Sequence, residues 1–192
     1  MTAAITIDKT KAVLAGLRAL TQQRVLVGIP ESAAARNGDP ENNAAIGYLM
    51  ETGSPAQNLP ARPFLVPGVK NAEKRTAAIL KLAGVAALAG NAGDVTKYLN
   101  MAGLAAASAV KAKIQAGPFT PLSPSTVAAR AAARGTKSQR KSEITYAALI
   151  AIGETPGDAQ AMTGIKPLIN TGQLRNSITY VIRKTGGNSG AA

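Results

Sequence analysis

The spacing of apolar residues in the N-terminal part of the chain predicts a helix followed by a strand. Apolar residues recur at helical intervals after Asp8, so we expect an amphipathic helix over residues 9–22 with Asp8 as its N-cap. The run RVLVGI, residues 24–29, is short, apolar and β-branched, and Pro30 follows it. Such a run predicts a strand. Residues 30–43 contain many turn formers without periodicity, which predicts an exposed loop.

Alanine-rich helices are predicted for the central part of the chain. Residues 43–54 fit a short helix, and residues 69–89 and 94–116 fit two longer ones, the last opened by Asp94. The segment Leu82 to Gly90 is apolar on every side of such a helix. We therefore expect this segment to be buried in the core or against a neighbouring subunit.

A further helix with clear start and stop signals is predicted in the C-terminal third. Ser123 is its expected N-cap, Pro124 its first helical residue, and Gly135 lies just past its end. Residues 136–143 are expected to form a basic connector. Residues 144–153 fit either a helical turn or a buried strand, and the apolar pattern leaves both open.

The segment KPLINTGQLRNSITYVIRK predicts a turn, a short helical turn and a strand over residues 178–183. We expect Thr171 to act as an N-cap while Leu174 and Ile178 pack inward. Arg175 then has two alternative roles. It belongs to this core turn, or it reaches a neighbour's carboxylate or a DNA phosphate.

The composition favours thin helical packing and argues against most enzyme classes. The apolar residues are mostly alanine, with only two Phe and no Trp, so each buried side chain contributes little area and partner subunits become a natural source of stability. Cysteine and histidine are both absent, which removes the usual thiol and imidazole nucleophiles and metal ligands. No phosphate-binding glycine motif occurs. We expect a protein that is not an enzyme and has no cofactor.

Positive charge is in excess, and part of it is clustered. The chain has 22 basic and 10 acidic residues, a net charge of +12. Five cations fall within twelve positions that contain no acid, namely Arg130, Arg134, Lys137, Arg140 and Lys141. These side chains form a solvated face or a subunit contact, or alternatively contact DNA phosphates. No apolar run reaches the roughly 20 residues that span a bilayer, so no membrane contact is expected.

The stretch NLPARPFLVPG, residues 58–68, contains three prolines around Arg62 and Phe64. Proline fixes its own backbone angle and restricts the preceding residue, so the stretch should be stiff and outside the middle of any helix or central strand. A stiff loop loses little conformational entropy when it docks, which favours a subunit interface at Arg62 and Phe64. The alternative makes Phe64 a core residue and pairs Arg62 with Glu51 or Glu31.

Three segments together resemble a known group of proteins. They are AAIGYLMETGSPAQNLPARPFLVPG, AGPFTPLSPSTVAARAAARG and KPLINTGQLRNSITYVI, in that order. Together they resemble the tail-completion or neck proteins of tailed bacteriophages, the minor tail protein Z-like and virion-morphogenesis families. The resemblance extends over residues 24–183, and its most specific parts are residues 60–65, 121–126 and 167–178.

That resemblance implies an α+β fold, an antiparallel sheet packed against several amphipathic, alanine-rich helices with extended proline-braced loops. It also implies a structural role, completing the upper end of the tail and joining it to the head as a ring of identical subunits, by expectation a hexamer. Expected partners are tail terminator or tail tube proteins, head connector or stopper proteins, and packaged DNA in the lumen. The location would be the virion, after assembly in the host cytoplasm.

The residues expected at subunit or partner interfaces, from the braced loop and the resembling segments, are Arg62, Phe64, Leu65, Phe119 and Arg175. The expected domain organisation is one α+β domain over residues 1–184, with an insertion at 135–166 relative to the family and a flexible tail at 185–192. A small basic protein that binds DNA without sequence specificity is the alternative function.

Overall fold

A computed structural model describes residues 8–35, 42–133 and 137–185, and the structural statements below concern these residues. The order of elements is α1 (Thr10–Thr21), β1 (Gln23–Gly28), α2 (Asn43–Thr52), α3 (Leu65–Asn71), α4 (Glu73–Leu88), α5 (Ala92–Ala116), α6 (Pro124–Ala132), α7 (Lys137–Ala151), α8 (Pro156–Thr163), α9 (Gln173–Ser177) and β2 (Thr179–Lys184). Short 3-10 turns occur at Glu31–Ala33 and Pro55–Gln57. The fold is α+β, as the sequence predicted.

The antiparallel sheet is made by the first and last strands of the chain. β1 pairs with β2 in a register that runs from Gln23 opposite Lys184 to Gly28 opposite Thr179. The backbone N–H of Thr185 continues the pairing by donating to the carbonyl of Gln22. Two strands alone are only marginally stable in water, so this sheet depends on the helix beneath it.

Helix α5 is the central element of the fold. It contacts α3, α4 and both strands, and nine of its 25 residues are buried. Gly103 lies against the ring of Tyr180 from β2, where a Cβ atom would clash with that ring. The Tyr180 hydroxyl also hydrogen-bonds Oδ1 of Asn100 on the same helix, at 3.0 Å. A glycine at this position therefore lets the sheet approach α5 closely.

Three groups of buried apolar residues form the interior. One surrounds Phe64 and includes Val110, Ile114, Leu168, Leu174 and Ile178. A second, between α1, α4, α5 and the sheet, is Ala86, Ala87, Val95 and Leu99. The third joins α6, α7 and α8 through Leu122, Val127, Tyr146 and Ala159. Alanine makes up half of the second group, and four more alanines of α5 are buried, so part of the interior has the thin packing expected from composition.

Most of the predicted elements are confirmed, and the predicted caps of α1 and α5 are wrong. The N-cap residue of α1 is Lys9 rather than Asp8, although Oδ1 of Asp8 still accepts the backbone N–H of Thr10 at 2.9 Å. Helix α5 starts earlier than predicted because Asn91 is its cap, accepting the N–H of Asp94. Sequence favours several polar residues as caps, and only backbone geometry decides between neighbours.

Two element predictions are also wrong. Residues 137–143 of the expected basic connector belong to α7, so the helical alternative holds for residues 144–151. Residue 136 lies outside the described residues. The helix expected from residue 69 instead begins at Leu65 and is divided at Ala72 into α3 and α4. Pro67 lies in the first turn of α3, where no intrahelical partner is needed for the missing N–H.

The segment from Leu82 to Gly90, expected to be buried, is buried on one side only. Ala83, Ala86 and Ala87 face the interior, whereas Leu82 and Leu88 are 48% and 67% exposed. The prediction that this segment is buried within the chain is therefore wrong for about half of it. Contact of that half with a neighbouring subunit stays a prediction.

The expected insertion and the expected tail have partial structural descriptions. Helices α7 and α8 pack with α6 around the third core group, so the described part of residues 135–166 has its own buried contacts. Thr185 is held by the sheet, and the rest of the expected tail lies outside the described residues. The domain organisation stays a prediction. None of the described helices is both long and apolar enough to cross a membrane.

Two glycine-to-alanine substitutions should change stability in opposite directions. Gly103→Ala should lower the free energy of unfolding by about 1 to 3 kcal/mol, because the added methyl group overpacks against Tyr180. Gly84→Ala is the matched control, since Gly84 is also helical but has nothing within 4 Å of the new Cβ atom. It should raise the free energy of unfolding by about 0.4 to 1 kcal/mol. Urea titration measures both, and a neutral Gly103→Ala would contradict the packing described.

Candidate functional site

Arg62 is buried and holds two loops together. Its side chain is 4% exposed, Nε donates to the carbonyl of Thr120, and Nη2 donates to the carbonyl of Pro121, both at 2.8 Å. The backbone N–H of Arg62 donates in turn to Met50 at the end of α2. The braced loop is thus fixed to the segment that precedes α6.

Glu51 fixes the other end of the braced loop. Its carboxylate accepts three consecutive backbone N–H groups at the start of α3, from Phe64 at 2.7 Å, Leu65 at 2.8 Å and Val66 at 3.0 Å. The first N–H groups of a helix have no intrahelical partners, and an acid there also interacts favourably with the helix dipole. Glu51 therefore caps α3 from another helix.

Arg130 makes the corresponding connection to the third resembling segment. From α6 its Nη2 atom donates to the carbonyl of Pro167 at 2.8 Å, and Nη1 lies 3.4 Å from the carbonyls of Lys166 and Ile169. The Nε2 atom of Gln139 on α7 donates to Asn170 in the same loop, at 2.7 Å. Two arginines thus connect the three segments that carry the resemblance.

A cleft of about 580 Å³ lies between these two arginines. Four prolines contribute to its walls, together with Asn58, the cap residue Ser123 and Thr126 of α6. The described residues that line it are Met50, Asn58, Leu59, Pro60, Arg62, Pro121, Leu122, Ser123, Thr126, Arg130, Pro156, Gly157 and Pro167. We call it the arginine cleft.

The electrostatics of the arginine cleft are those of two partly desolvated cations. Burial lowers the pKa of Arg62. Burial also lowers the pKa of Arg130, the charge of Glu143 raises that pKa, and the charge of Arg62 lowers it. Arginine keeps its proton under ordinary conditions despite such shifts. Both guanidinium groups therefore carry positive charge, Arg62 in buried surroundings and Arg130 in half-buried ones.

The expected interface residues are mostly internal. Phe64 is 2% exposed and belongs to the largest core group, so the core alternative is confirmed for it. The expected partners of Arg62 are wrong, because it binds carbonyls and Glu51 binds the α3 N-terminus instead. Leu65 and Phe119 are half-buried against the same core. An interface at this loop stays a prediction, and Arg62 and Phe64 have almost no surface to offer to it.

The turn before β2 is a core turn, with a correction at its cap. Leu174 and Ile178 are buried as expected. The cap of α9 is Gly172 with φ of 79°, rather than Thr171, whose hydroxyl lies 3.5 Å from the N–H of Gln173. Arg175 is half-buried, and among the described residues its buried Nε atom has no hydrogen-bond partner. Contact of Arg175 with a neighbour or with DNA stays a prediction.

The predicted basic cluster separates into two parts. Arg130 donates to loop carbonyls through its terminal nitrogens, and its contact with a DNA phosphate stays a prediction. Arg134 lies outside the described residues. Lys137, Arg140 and Lys141 are exposed on α7, and their spacing of three and four residues places them on one side of that helix.

Sequence analysis missed Glu51 as a cap and Tyr146 as a core residue. The Tyr146 hydroxyl donates to the carbonyl of Leu122 at 2.9 Å, and burial raises the pKa of this group. An acid placed twelve or more residues before a proline-braced helix start gives no recognisable motif. The roles of Glu51 and Tyr146 follow from contacts between distant parts of the chain, which exist only in the folded structure.

No family model, curated protein or solved structure matches this chain. The arginine cleft must therefore be interpreted from its own chemistry. No group of three or more potential metal-binding side chains occurs in the described part of the chain. The cleft presents cationic donors, hydroxyl groups and rigid walls.

Removing the charge of Glu51 should weaken the braced loop. Glu51→Gln keeps the size of the side chain but removes the carboxylate that accepts three N–H groups, so we expect a loss of about 1 to 3 kcal/mol in the free energy of unfolding. Glu73→Gln is the control, an exposed acid in the first turn of α4. It should cost no more than about 1 kcal/mol. Equal losses in urea titrations would show that Glu51 acts only through general charge.

Proposed function

We propose that this chain is a structural virion protein of the bacteriophage neck, which completes the upper end of the tail and joins it to the head as a ring of identical subunits. The resemblance of three segments to tail-completion and neck proteins supports this proposal. Further support comes from their placement, since Arg62 and Arg130 connect all three in one unit. Segments that are connected to one another inside the chain should be the parts of a structural protein whose shape changes least on assembly.

The observation that carries the proposal is an exposed apolar surface on α4. Leu82, Val85 and Leu88 recur every third residue, and they are 48%, 58% and 67% exposed. Residues at this spacing lie on one side of a helix. Met101 and Leu104 are exposed on the neighbouring helix α5. We call Leu82, Val85 and Leu88 the α4 apolar stripe.

A second copy of the chain is the proposed occupant of this stripe. Every copy carries a net charge of +12, so copies repel one another unless they meet where charge is low. Residues 82–93 contain no charged side chain at all. Exposed apolar surface of this kind commonly marks a protein–protein interface. In the ring that the resemblance implies, the neighbour of each subunit is likewise a second copy of this chain.

Polar substitution in the α4 apolar stripe should abolish self-association while the fold is kept. We expect Leu82→Gln with Leu88→Gln to shift the purified protein from oligomer to monomer in light scattering after size exclusion. Ile152→Gln with Met162→Gln is the control, since these two exposed apolar residues lie away from α4 and their loss should leave the oligomer intact. A wild-type chain that is monomeric up to high micromolar concentration contradicts the ring.

Assembly of particles tests the location of that ring. Phage particles prepared without this chain should accumulate as filled heads and separate tails, and purified wild-type protein should restore joining. The stripe variant should fail to restore it, and the control variant should succeed. Complete infectious particles without the chain would remove the neck function.

The exposed cations of α7 favour one alternative function, a non-specific contact with DNA. Lys137, Arg140 and Lys141 share one side of the helix. The substitutions Lys137→Glu, Arg140→Glu and Lys141→Glu should reduce affinity for duplex DNA at least tenfold at low salt, because phosphate neutralisation supplies non-specific affinity. Fluorescence anisotropy at 50 and 200 mM salt measures this, with Lys74→Glu, Arg75→Glu and Lys81→Glu on α4 as the control. Binding that ignores salt, or equal losses in both variants, contradicts a site on α7.

A further inference from the structure

We propose that the arginine cleft is a binding site for an oxyanion, a carboxylate or phosphate group carried by a small molecule. This inference does not rest on the neck function, because the cleft lies within one chain. Four observations support it: the shape of the cleft, its uncompensated charge, a guanidinium nitrogen left free in it, and the polar groups around it.

The shape of the arginine cleft is that of a small-molecule site. Its volume of about 580 Å³ falls within the range of roughly 300 to 1,000 Å³ that is typical of ligand pockets. Pro60, Pro121, Pro156 and Pro167 form part of its walls. Proline restricts the backbone, so these walls are largely formed before a ligand arrives.

The charge of the arginine cleft is not balanced by the residues around it. None of the described residues that line the cleft is acidic, although Arg62 and Arg130 are both present. Their hydrogen-bond partners are carbonyl groups, which accept hydrogen bonds from the guanidinium groups but carry no net charge. Glu143 is the acid that acts on Arg130, and one carboxylate offsets only one of two cations. An anionic ligand would supply the missing charge.

One nitrogen of Arg62 has hydrogen-bonding capacity left for a ligand. A guanidinium group has five N–H donors, and the carbonyls of Thr120 and Pro121 use only Nε and Nη2. In the described part of the chain Nη1 makes no hydrogen bond, and it is not among the fully buried unpaired atoms. Because Arg62 lines the cleft and is otherwise buried, its remaining surface is directed there. Charge-assisted bonds from such a group are the strong ones.

Polar groups around the two arginines suit an oxyanion as well. Ser123 and Thr126 place hydroxyl groups at the start of α6, a helix of nine residues, and 2.7 Å separates their oxygens. Pro156 and Gly157 belong to the start of α8, a second helix N-terminus at the same cleft. The positive end of the helix dipole favours anions at the start of α6, whereas Asp158 already lies in the first turn of α8. Asn58 adds an amide at the wall.

The expected ligand is larger than a single phosphate or carboxylate group. A volume of about 580 Å³ and two cations fit a molecule with two or more charged oxygen groups, such as an organic phosphate or a polycarboxylate. Pyrophosphate and citrate are therefore suitable probes, one for each source of the oxyanion. Chloride at matched ionic strength is the reference for simple screening of charge.

Isothermal titration of the full chain with each probe tests the site. We expect one ion per chain, with a dissociation constant below 1 mM for the preferred probe at constant ionic strength. The preference between pyrophosphate and citrate then tells whether phosphate or carboxylate is the natural group. Absence of saturable binding by either probe would overturn the proposal.

The decisive variant places a negative charge in the cleft. Asn58 adopts a left-handed conformation with φ of 53°, which aspartate also tolerates, so Asn58→Asp should fold. It should weaken binding at least tenfold. Asn71→Asp is the matched control at an exposed position of α3 and should leave affinity within twofold of wild type. Equal weakening by both variants would show a general effect of net charge and overturn the site.

A second variant, Thr126→Val, tests the site even if Asn58→Asp does not fold. Thr126→Val removes a hydroxyl that lines the cleft while it preserves the shape of the side chain. We expect about a threefold to tenfold loss of affinity, with Thr145→Val on the exposed side of α7 as its control. Unchanged affinity in Thr126→Val, together with unchanged affinity in Asn58→Asp, would place the bound ion outside the cleft.

Discussion

Two arginines bound to backbone carbonyls hold the architecture of this chain together. Arg62 connects the braced loop to the segment before α6, and Arg130 connects α6 to the loop before α9. A buried guanidinium without partners would cost several kcal/mol, so these bonds are obligatory once the side chains are enclosed. The loops therefore have one arrangement relative to the helices. Glu51 extends this arrangement by fixing the start of α3.

Helix α5 supplies the surface on which the rest of the chain is arranged. Glycine and alanine on its buried faces let α4 and the sheet approach closely, which compensates for the small area that each residue buries. On α4, by contrast, the large apolar side chains of Leu82, Val85 and Leu88 are exposed. The internal framework and the α4 apolar stripe are thus separate features: the first is buried within the chain, and the second is exposed on its surface.

Sequence patterns predicted the elements better than the contacts. Helical spacing located α1, α2, α5 and α6, and the expected cap Ser123 was right for α6, because these signals are local. Helix α7 was missed at its start because its first residues are basic and lack an apolar period, and its burial comes from Glu143 and Tyr146 facing α6 and α8. The partners of Arg62 could not be predicted, because every residue has a backbone carbonyl and the sequence does not indicate which carbonyls accept its hydrogen bonds. The arginine cleft likewise exists only after three distant segments meet.

We expect the pairing of β1 with β2 to be a late step in the folding of this chain. The second and the last of its described helices and strands form the sheet, so the contact joins residues separated by nearly the whole described sequence. Closing so long a loop is slow and carries an entropic cost that local helices avoid. Helices α1 to α8 can form before this pairing, whereas the surface of α5 around Gly103 stays uncovered until Tyr180 of β2 packs on it. Burial of this surface therefore depends on a very long-range contact, which makes it one of the last steps of folding.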